Sequence, residues 1–256
     1  MTVTEVQATG RYSLHLSSDR EHRDAAQRLR HTVFAAEPGF VHDAADGREA
    51  DRFDEYCEHL LVRDEITDET VGCYRILTAD AARAAGGWYT ATEFDISALA
   101  PLHGEMVELG RACVHPGHRN GAVLAMMWAG MLNYLDLAGP RWALGCVSVP
   151  MRMPGDADDG ANVRAVRDRL LAEHASPPNR RVRPLRPVPG MAGPAPTARP
   201  VLPPLLRGYL RLGARICGEP AHDPGFGVAD FVALLGAHDV DPRYLQRLRS
   251  VPVTVR

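Results

Sequence analysis

Not one lysine occurs among the 256 residues; all 29 basic side chains are arginine. That absence excludes lysine Schiff-base chemistry and leaves guanidinium and backbone N–H groups to hold any anion. Cysteine is sparse and scattered, at Cys57, Cys73, Cys113, Cys146 and Cys217, with no C-x-x-C pair and no zinc-ligand spacing. Such a set is expected to be reduced core thiols of a cytoplasmic protein, and no metal site is expected. Long apolar runs are missing too. The most apolar stretch, residues 122–139, carries Asn133 and Asp136 and stops at Gly139-Pro140, which suits a buried helix better than a membrane span. The N-terminal MTVTEVQATGRYS lacks the basic and apolar parts of an export signal. A net charge of −3 makes no case for nucleic acid.

What is present reads as an α/β domain spanning residues 11–247, with loose tails at 1–10 and 248–256. RYSLHL (11–16) alternates as a strand does. Ser17, Ser18 and Asp19 offer caps for a helix carrying Ala25, Ala26, Leu29, Val33 and Phe34, which Glu37-Pro38-Gly39 ends. An acidic loop over 40–55 leads to two strands, CEHLLVRD (57–64) and TVGCYRIL (70–77), joined by a short turn as an antiparallel hairpin. MVELGRACV (106–114) is a further strand, residues 119–138 a helix, and RWALGCVSV (141–149) a strand parallel to 106–114 across that helix. Residues 150–200 break the pattern. A helical piece at 162–174 runs into a segment so rich in proline that half of all prolines lie between Pro177 and Pro204, as expected of a surface excursion. Residues 205–218 return to helix and 226–236 to strand.

ELGRACVHPGHRNGAV (108–123) raises the chemical question, because it puts Glu108 and Arg111 into an otherwise apolar strand. The strand is expected to kink at Cys113 to His115. The turn Arg119, Asn120, Gly121, Ala122 then opens a helix whose free N–H groups and positive end make an anion cradle. A gap between this strand and the next would admit an extended chain such as a pantetheine arm. Gly121 also suits plain helix packing, and His59 and His115 read as a core histidine and a turn residue.

These residues resemble the GCN5-related N-acetyltransferase fold, and more specifically its acyl-carrier-protein-dependent branch, the ornithine-lipid N-acyltransferases and acyl-homoserine-lactone synthases. The resemblance rests on LRHTVF (29–34), DRFDEYCEHLLV (51–62), GCYRIL (72–77), TEFDIS (92–97), VELGRACVHPGHRNGAV (107–123) and GCVSVP (145–150). PLLRGYLRLGARICGEPAHDPGFGVADF (204–231) is similar to the ornithine enzymes rather than the lactone synthases. It implies a mixed sheet flanked by helices and transfer of a long, often 3-hydroxylated, acyl group from a carrier-protein thioester to the α-amine of ornithine or a similar amino acid. The product would be a lyso-ornithine lipid, made in the cytoplasm or at the inner membrane face, with no cofactor beyond the donor's own phosphopantetheine thioester; acyl-CoA is the other donor. The alternatives are a lactone synthase acting on S-adenosylmethionine, a different N-acyl amino acid synthase, and an inactive relative that only binds acyl carrier protein.

An ammonium cannot attack a thioester, so a base is required. By the resemblance that base is Glu108, in E-L-G-R where the lactone synthases have E-x-S-R, so Gly110 removes the serine hydroxyl. The structural alternative for Glu108 is an ion pair with Arg75 or Arg111. Backbone N–H at Cys113 and Val114 would face the oxyanion, with the Cys113 thiol in the core rather than acting as nucleophile. Asp51 and Asp54, with Arg30, Arg75 and Arg111, match the acceptor region; they either hold substrate or form a salt-bridge network, the network being favoured for Arg30 and Asp54. Arg119, Asn120, Gly121 and Ala122 would hold the donor. Phe34, Trp88 and Trp128 either line an acyl tunnel or belong to ordinary core. The run Arg180, Arg181, Arg183, Arg186 and the set Arg207, Arg211, Arg215 on one helix face would suit an acidic carrier protein or an anionic membrane surface.

Overall fold

The computed structural model describes residues 4–7, 10–37, 39–41, 46–154, 156, 158–193, 199–240, 246 and 254–255. Strands β1 (Thr4–Gln7) and β2 (Tyr12–Ser17) precede helix α1 (Arg20–Phe34), whose inward stripe is Ala26, Leu29, Arg30 and Val33. The hairpin β3 (Glu58–Asp64) and β4 (Glu69–Thr78) follows, then α2 (Ala79–Ala84), the short β5 (Phe94–Asp95) and β6 (Met106–Val114). Helix α3 (Ala122–Ala138) is buried on nearly every side, as its apolar composition requires, and leads to β7 (Trp142–Pro150). Then come α4 (Ala161–Glu173), β8 (Arg183–Pro184), α5 (Pro204–Leu212), β9 (Arg215–Ile216), β10 (Ala221–Asp223), β11 (Val228–Gly236) and β12 (Thr254–Val255). No helix among the described residues is long and apolar enough to cross a membrane.

One mixed sheet holds the molecule together, in the order β10-β11-β7-β6-β4-β3-β2-β1-β12, with β9 on β11. Its parallel pair is β6 with β7, as expected, and the pairing covers only Met106–Glu108 against Trp142–Leu144. Beyond Glu108 and Leu144 the two strands part. A side chain at Gly145 would run into the Leu109 carbonyl, so glycine is required at the point of parting.

Side-chain alternation sorts the two faces. Leu14, Leu60, Tyr74, Ile76, Val107 and Phe231 point to the face covered by α3, α4 and α5. The opposite face carries two separate apolar clusters. One is built around α1, with Leu29, Val33, Leu61, Cys73 and Cys113; the other joins Phe53, Leu77, Trp88, Phe94, Met106, Trp142 and Leu144. Arg75 lies on this face between Cys73 and Leu77, in the gap between the clusters. Trp88 and Trp128 are core residues, and Trp128 stacks on Tyr209 with ring centroids 5.6 Å apart. Gly208 makes that stack possible, since a Cβ there would overlap the Trp128 ring. Gly208→Ala is expected to destabilise the fold by about 1–3 kcal/mol through overpacking, read as a lower urea midpoint at unchanged slope.

Several expectations need correction. Over Thr4–Gln7 the expected tail is β1, paired with β2, and Thr254–Val255 of the other tail pairs with β1 in turn; the remaining residues of both tails, save Gly10, lie outside the described set. Helix α1 closes at Phe34, before the expected stop, of which Pro38 is not among the described residues. Helix α3 begins three residues later than expected, after the left-handed Gly121. The 150–200 segment is no mere surface excursion: Val163, Val166, Leu170 and Val188 join the main core, Val182 joins the second cluster, and β8 pairs with β5. Proline forbids a central strand but not burial, and β8 is a two-residue edge; residues 194–198 lie outside the described set. Finally, α5 stops at Leu212 because Gly213 turns left-handed at φ +102°, which puts Arg215 on β9 and breaks the supposed arginine face.

Candidate functional site

The gap between the two apolar clusters is filled by charge. Arg30 of α1, wholly buried, pairs with Glu49 at 2.5 Å and Asp54 at 2.6 Å. Arg75 of β4 pairs with Asp54 at 3.0 Å and Asp51 at 2.6 Å. Arg111 of β6 pairs with Asp51 at 3.2 Å and Glu49 at 3.1 Å. Arg30, Glu49, Arg111, Asp51, Arg75 and Asp54 thus close a ring of alternating charge with no net excess. Burial is graded around it: the Asp54, Glu49 and Arg75 side chains are at most 4% exposed, whereas Arg111 and Asp51 are 14% and 21% exposed. Arg111 and Asp51 are the ring's outer edge. Burial alone would raise the Asp54 carboxyl, but hydrogen bonds and charge from Arg30 and Arg75 overcome it and hold the group well below the usual carboxylate range. Asp51 is likewise raised by burial and lowered more by Arg75 and Arg111.

A backbone irregularity brings Arg111 to this face. Glu108 and Arg111 stand three apart, and a regular strand would point them to opposite sides. The β4–β6 register passes from Cys73↔Cys113 to Arg75↔Gly110, so Tyr74 opposes both Arg111 and Ala112, and Arg111 takes φ +54°. The extra residue is a β-bulge, and it turns both charged side chains to one face. The expected kink at Cys113 to His115 is therefore found at Arg111.

Glu108 is 4% exposed and accepts N–H groups from Tyr89 and Thr90, each at 2.7 Å, and the Thr90 hydroxyl. The alternative of an ion pair with Arg75 or Arg111 is not what the structure holds. Burial raises the Glu108 carboxyl above its ordinary value, opposed by the bonds from Thr90 and Tyr89. Of about four lone-pair positions on a carboxylate, three are taken and one remains. Glu108 thereby pins the turn that carries Tyr89, whose ring lies 4.6 Å from the Arg111 guanidinium and 5.4 Å from that of Arg75.

Cys113 packs against Cys73, sulfur to sulfur 3.5 Å, and burial pushes its thiol well up, which suits a core residue. His115 donates its N–H to Val71, and ladder alternation then directs the Cys113 N–H to β4 and the Val114 N–H to the side where β7 parts from β6. Only Val114 of that pair remains a candidate oxyanion donor. At the turn, Asn120 Oδ1 accepts the Ala122 N–H at 3.0 Å, so one helix-end donor is already used. Arg119 reaches Val114 O at 3.3 Å and Glu37 at 3.4 Å, and Gly121 takes φ +87°. His59 is a buried core histidine bonded to Asp54 O, its ring pushed down to about 4 by burial.

Of the residues singled out in the sequence, Arg30, Asp51, Asp54, Arg75, Glu108 and Arg111 lie on one side of the sheet, and other residues join them there. Glu49 was hidden in a stretch read as loop. Tyr89, Thr90, Glu93, Asp223 and Asp230 also went unseen, although Glu93 stands in TEFDIS, and Asp223 and Asp230 in the C-terminal block. Glu93, Asp223 and Asp230 present oxygens within 4.8 Å of one another, a set able to hold a cation. On the other face of the sheet, Leu109, Met131, Leu144, Gly145, Tyr209 and Ala233 line an apolar cavity of about 20 Å³, roughly one water in size.

Residues 29–129 match the Acetyltransferase (GNAT) domain family. The chain is 32% identical to an L-ornithine N(alpha)-acyltransferase of Brucella abortus (strain 2308), with 92% of this chain and 88% of the relative covered. It is 35% identical to the enzyme of that name from Rhizobium meliloti (strain 1021), with 87% and 79% covered. Among solved structures, it is similar in fold to a CoA-dependent acyl-homoserine lactone synthase with SAM and isopentyl-CoA. The TM-score there is 0.53 at 15% identity, covering 96% of this chain and 88% of the other.

Proposed function

Because the chain belongs to the L-ornithine N(alpha)-acyltransferase family and is an acyltransferase of the GNAT fold, we propose that it acylates the α-amine of ornithine from an acyl carrier protein thioester, giving a lyso-ornithine lipid. The observation that carries this reading is the charged ring, whose outer member Arg111 stands on the same strand face as Glu108, with Asp51 of the preceding loop paired to it. A guanidinium at the rim suits an amino-acid carboxylate. A buried carboxylate with one free lone pair suits the proton that an ammonium must lose.

In this reading Arg111 holds the acceptor's α-carboxylate and Glu108 takes a proton from the α-ammonium. The freed amine adds to the thioester carbonyl, with the Val114 N–H at the oxyanion; the C–S bond then breaks and the carrier thiol leaves with a proton. No redox partner is required. The acyl chain would enter where β6 and β7 part, towards the small cavity under Tyr209 and Met131, whose side chains must move to admit it. Exposed Arg181, Arg183 and Arg186 suit an acidic carrier protein, and Arg207 and Arg211 stand exposed on α5.

The test incubates purified protein with L-ornithine and a 3-hydroxyacyl group on either acyl carrier protein or CoA, followed by mass spectrometry. An N-acylornithine, formed faster from the carrier protein, is the expected product. A lactone formed from S-adenosylmethionine, or no amide from either donor, overturns the reading.

A further inference from the structure

Beyond the charged ring, the same cleft holds three acids that the proposed chemistry does not use. Glu93 follows the turn pinned by Glu108, Asp230 lies on β11, and Asp223 ends β10. Two of them are tied to walls of the Arg111 site. The Tyr89 hydroxyl donates to Glu93 Oε1 at 2.6 Å, and its ring lies on the Arg111 guanidinium. The Phe226 N–H donates to Asp223 at 3.3 Å, and its ring is 5.2 Å from that same guanidinium. Ser148 of β7 donates to Asp230 at 2.6 Å.

Among the described residues, the three carboxyls have no cation of their own. The positive charge of Arg111 acts on Glu93 and Asp230, but its ion pairs are with Glu49 and Asp51. Glu93 Oε2 is sealed from solvent with no donor from any other described residue, and Asp230, 4% exposed, hydrogen-bonds Glu93 when the pair carries a proton. Burial and the neighbouring Asp230 and Asp223 push Glu93 up to about 8; burial pushes Asp230 up to about 6. Buried acids gathered without a counter-charge are destabilising when ionised, so they hold a proton until a cation takes its place.

We propose that Glu93, Asp230 and Asp223 form the subsite for the distal ammonium of a diamino acid, so that they select ornithine over acceptors with an uncharged side chain. This rests on the acceptor reading above: the α-carboxylate at Arg111, the methylenes between the Tyr89 and Phe226 rings, the second ammonium among the acids. An ammonium brings three N–H donors to three acceptors. A divalent metal ion would bring twice the charge up to Arg111 and meet the Tyr89 O–H, a donor, in its coordination shell.

L-norvaline has ornithine's carbon chain without the second amine, so the two acceptors isolate the subsite. The wild type is expected to favour ornithine over norvaline in kcat/KM by about 100-fold, roughly 2.8 kcal/mol and within the range of a charge-assisted contact. In Glu93→Gln and Asp230→Asn that ratio is expected to fall at least tenfold, mostly through the KM for ornithine. The proton on Glu93 must leave when the ammonium arrives, so the ornithine KM should fall as pH rises from 6 through about 8, and E93Q should flatten the dependence. A ratio unchanged in both variants overturns the proposal. So does calorimetric binding of Mn²⁺ or Ca²⁺ alone that E93Q abolishes while the acceptor ratio stays put. If the wild type acylates neither amino acid, the acceptor reading fails by itself. Calorimetry with the two amino acids then decides the subsite: equal affinity for both overturns it, and ornithine binding that releases a proton and weakens in E93Q supports it.

Discussion

Asp54→Ala is expected to lower the unfolding free energy by about 3–5 kcal/mol, the largest stability loss foreseen for a single side chain here. Asp54 is 1% exposed and accepts from Arg30 at 2.6 and 2.9 Å, Arg75 at 3.0 Å, Gln27 at 3.1 Å and the Asp51 N–H at 3.1 Å. Truncation opens the ring and leaves Arg30, which reaches no solvent, with one carboxylate instead of two. The pH dependence has a definite sign. Asp54 carries a depressed folded-state pKa, so its contribution is fully present above the unfolded value of about 3.9 and is lost as pH falls below it. Urea unfolding at pH 7 should show the full difference between wild type and variant, and unfolding near pH 3 a smaller one. A loss under 1 kcal/mol at pH 7 would mean that the ring contributes geometry and not stability.

Glu108→Gln is expected to reduce kcat by about 10²–10⁴-fold, the range for removing a positioned general base. The wild-type kcat should rise with pH along an acid limb set above the ordinary carboxylate range, because burial raises Glu108, and the variant should lack that limb. The substitution also puts an amide NH₂ among three donors, from Tyr89 and Thr90, so a structural effect has to be separated. Thr90→Val serves for this. It removes the hydroxyl contact but leaves both N–H bonds and the carboxylate, and should keep kcat within about tenfold. If Glu108→Gln turns over within tenfold of wild type, or if Thr90→Val is as damaging, Glu108 is only the pin of the 89–90 turn. The kcat limb then belongs elsewhere, and Glu93, read through KM, is the first place to look.

Much of the fold was legible because its signals are local. The strand at 106–114, the apolar helix before Gly139 and the hairpin at 57–77 each draw their structure from about twenty neighbouring residues or fewer, and each formed, though the strand is bulged at Arg111 and the helix starts three residues later than expected. Errors came where a local signal had two outcomes. Proline around 177–204 was compatible with a solvated excursion or with packed edge structure, and only the apolar faces waiting to be covered by Val182 and Val188 chose between them. Gly213 stood inside an apparent helix of 205–218, and its role as terminator depended on β9 finding a partner in β11.

The sequence by itself determined the chemistry available to the protein: arginine as its only permanent cation, the acids at 51, 54 and 108, the strand–turn–helix of 106–138 and the family to which these point. Tertiary structure alone decided how those groups combine. The bulge at Arg111 puts two charges three residues apart on one face, against the period of a strand. Glu49, Glu93, Asp223 and Asp230 come from separate loops and strands, so their electrostatic partners lie across the sheet, where no sequence spacing records them. Whether a buried carboxylate is held ionised, as Asp54 is, or pushed towards its proton, as Glu93 is, depends on which arginines reach it through space.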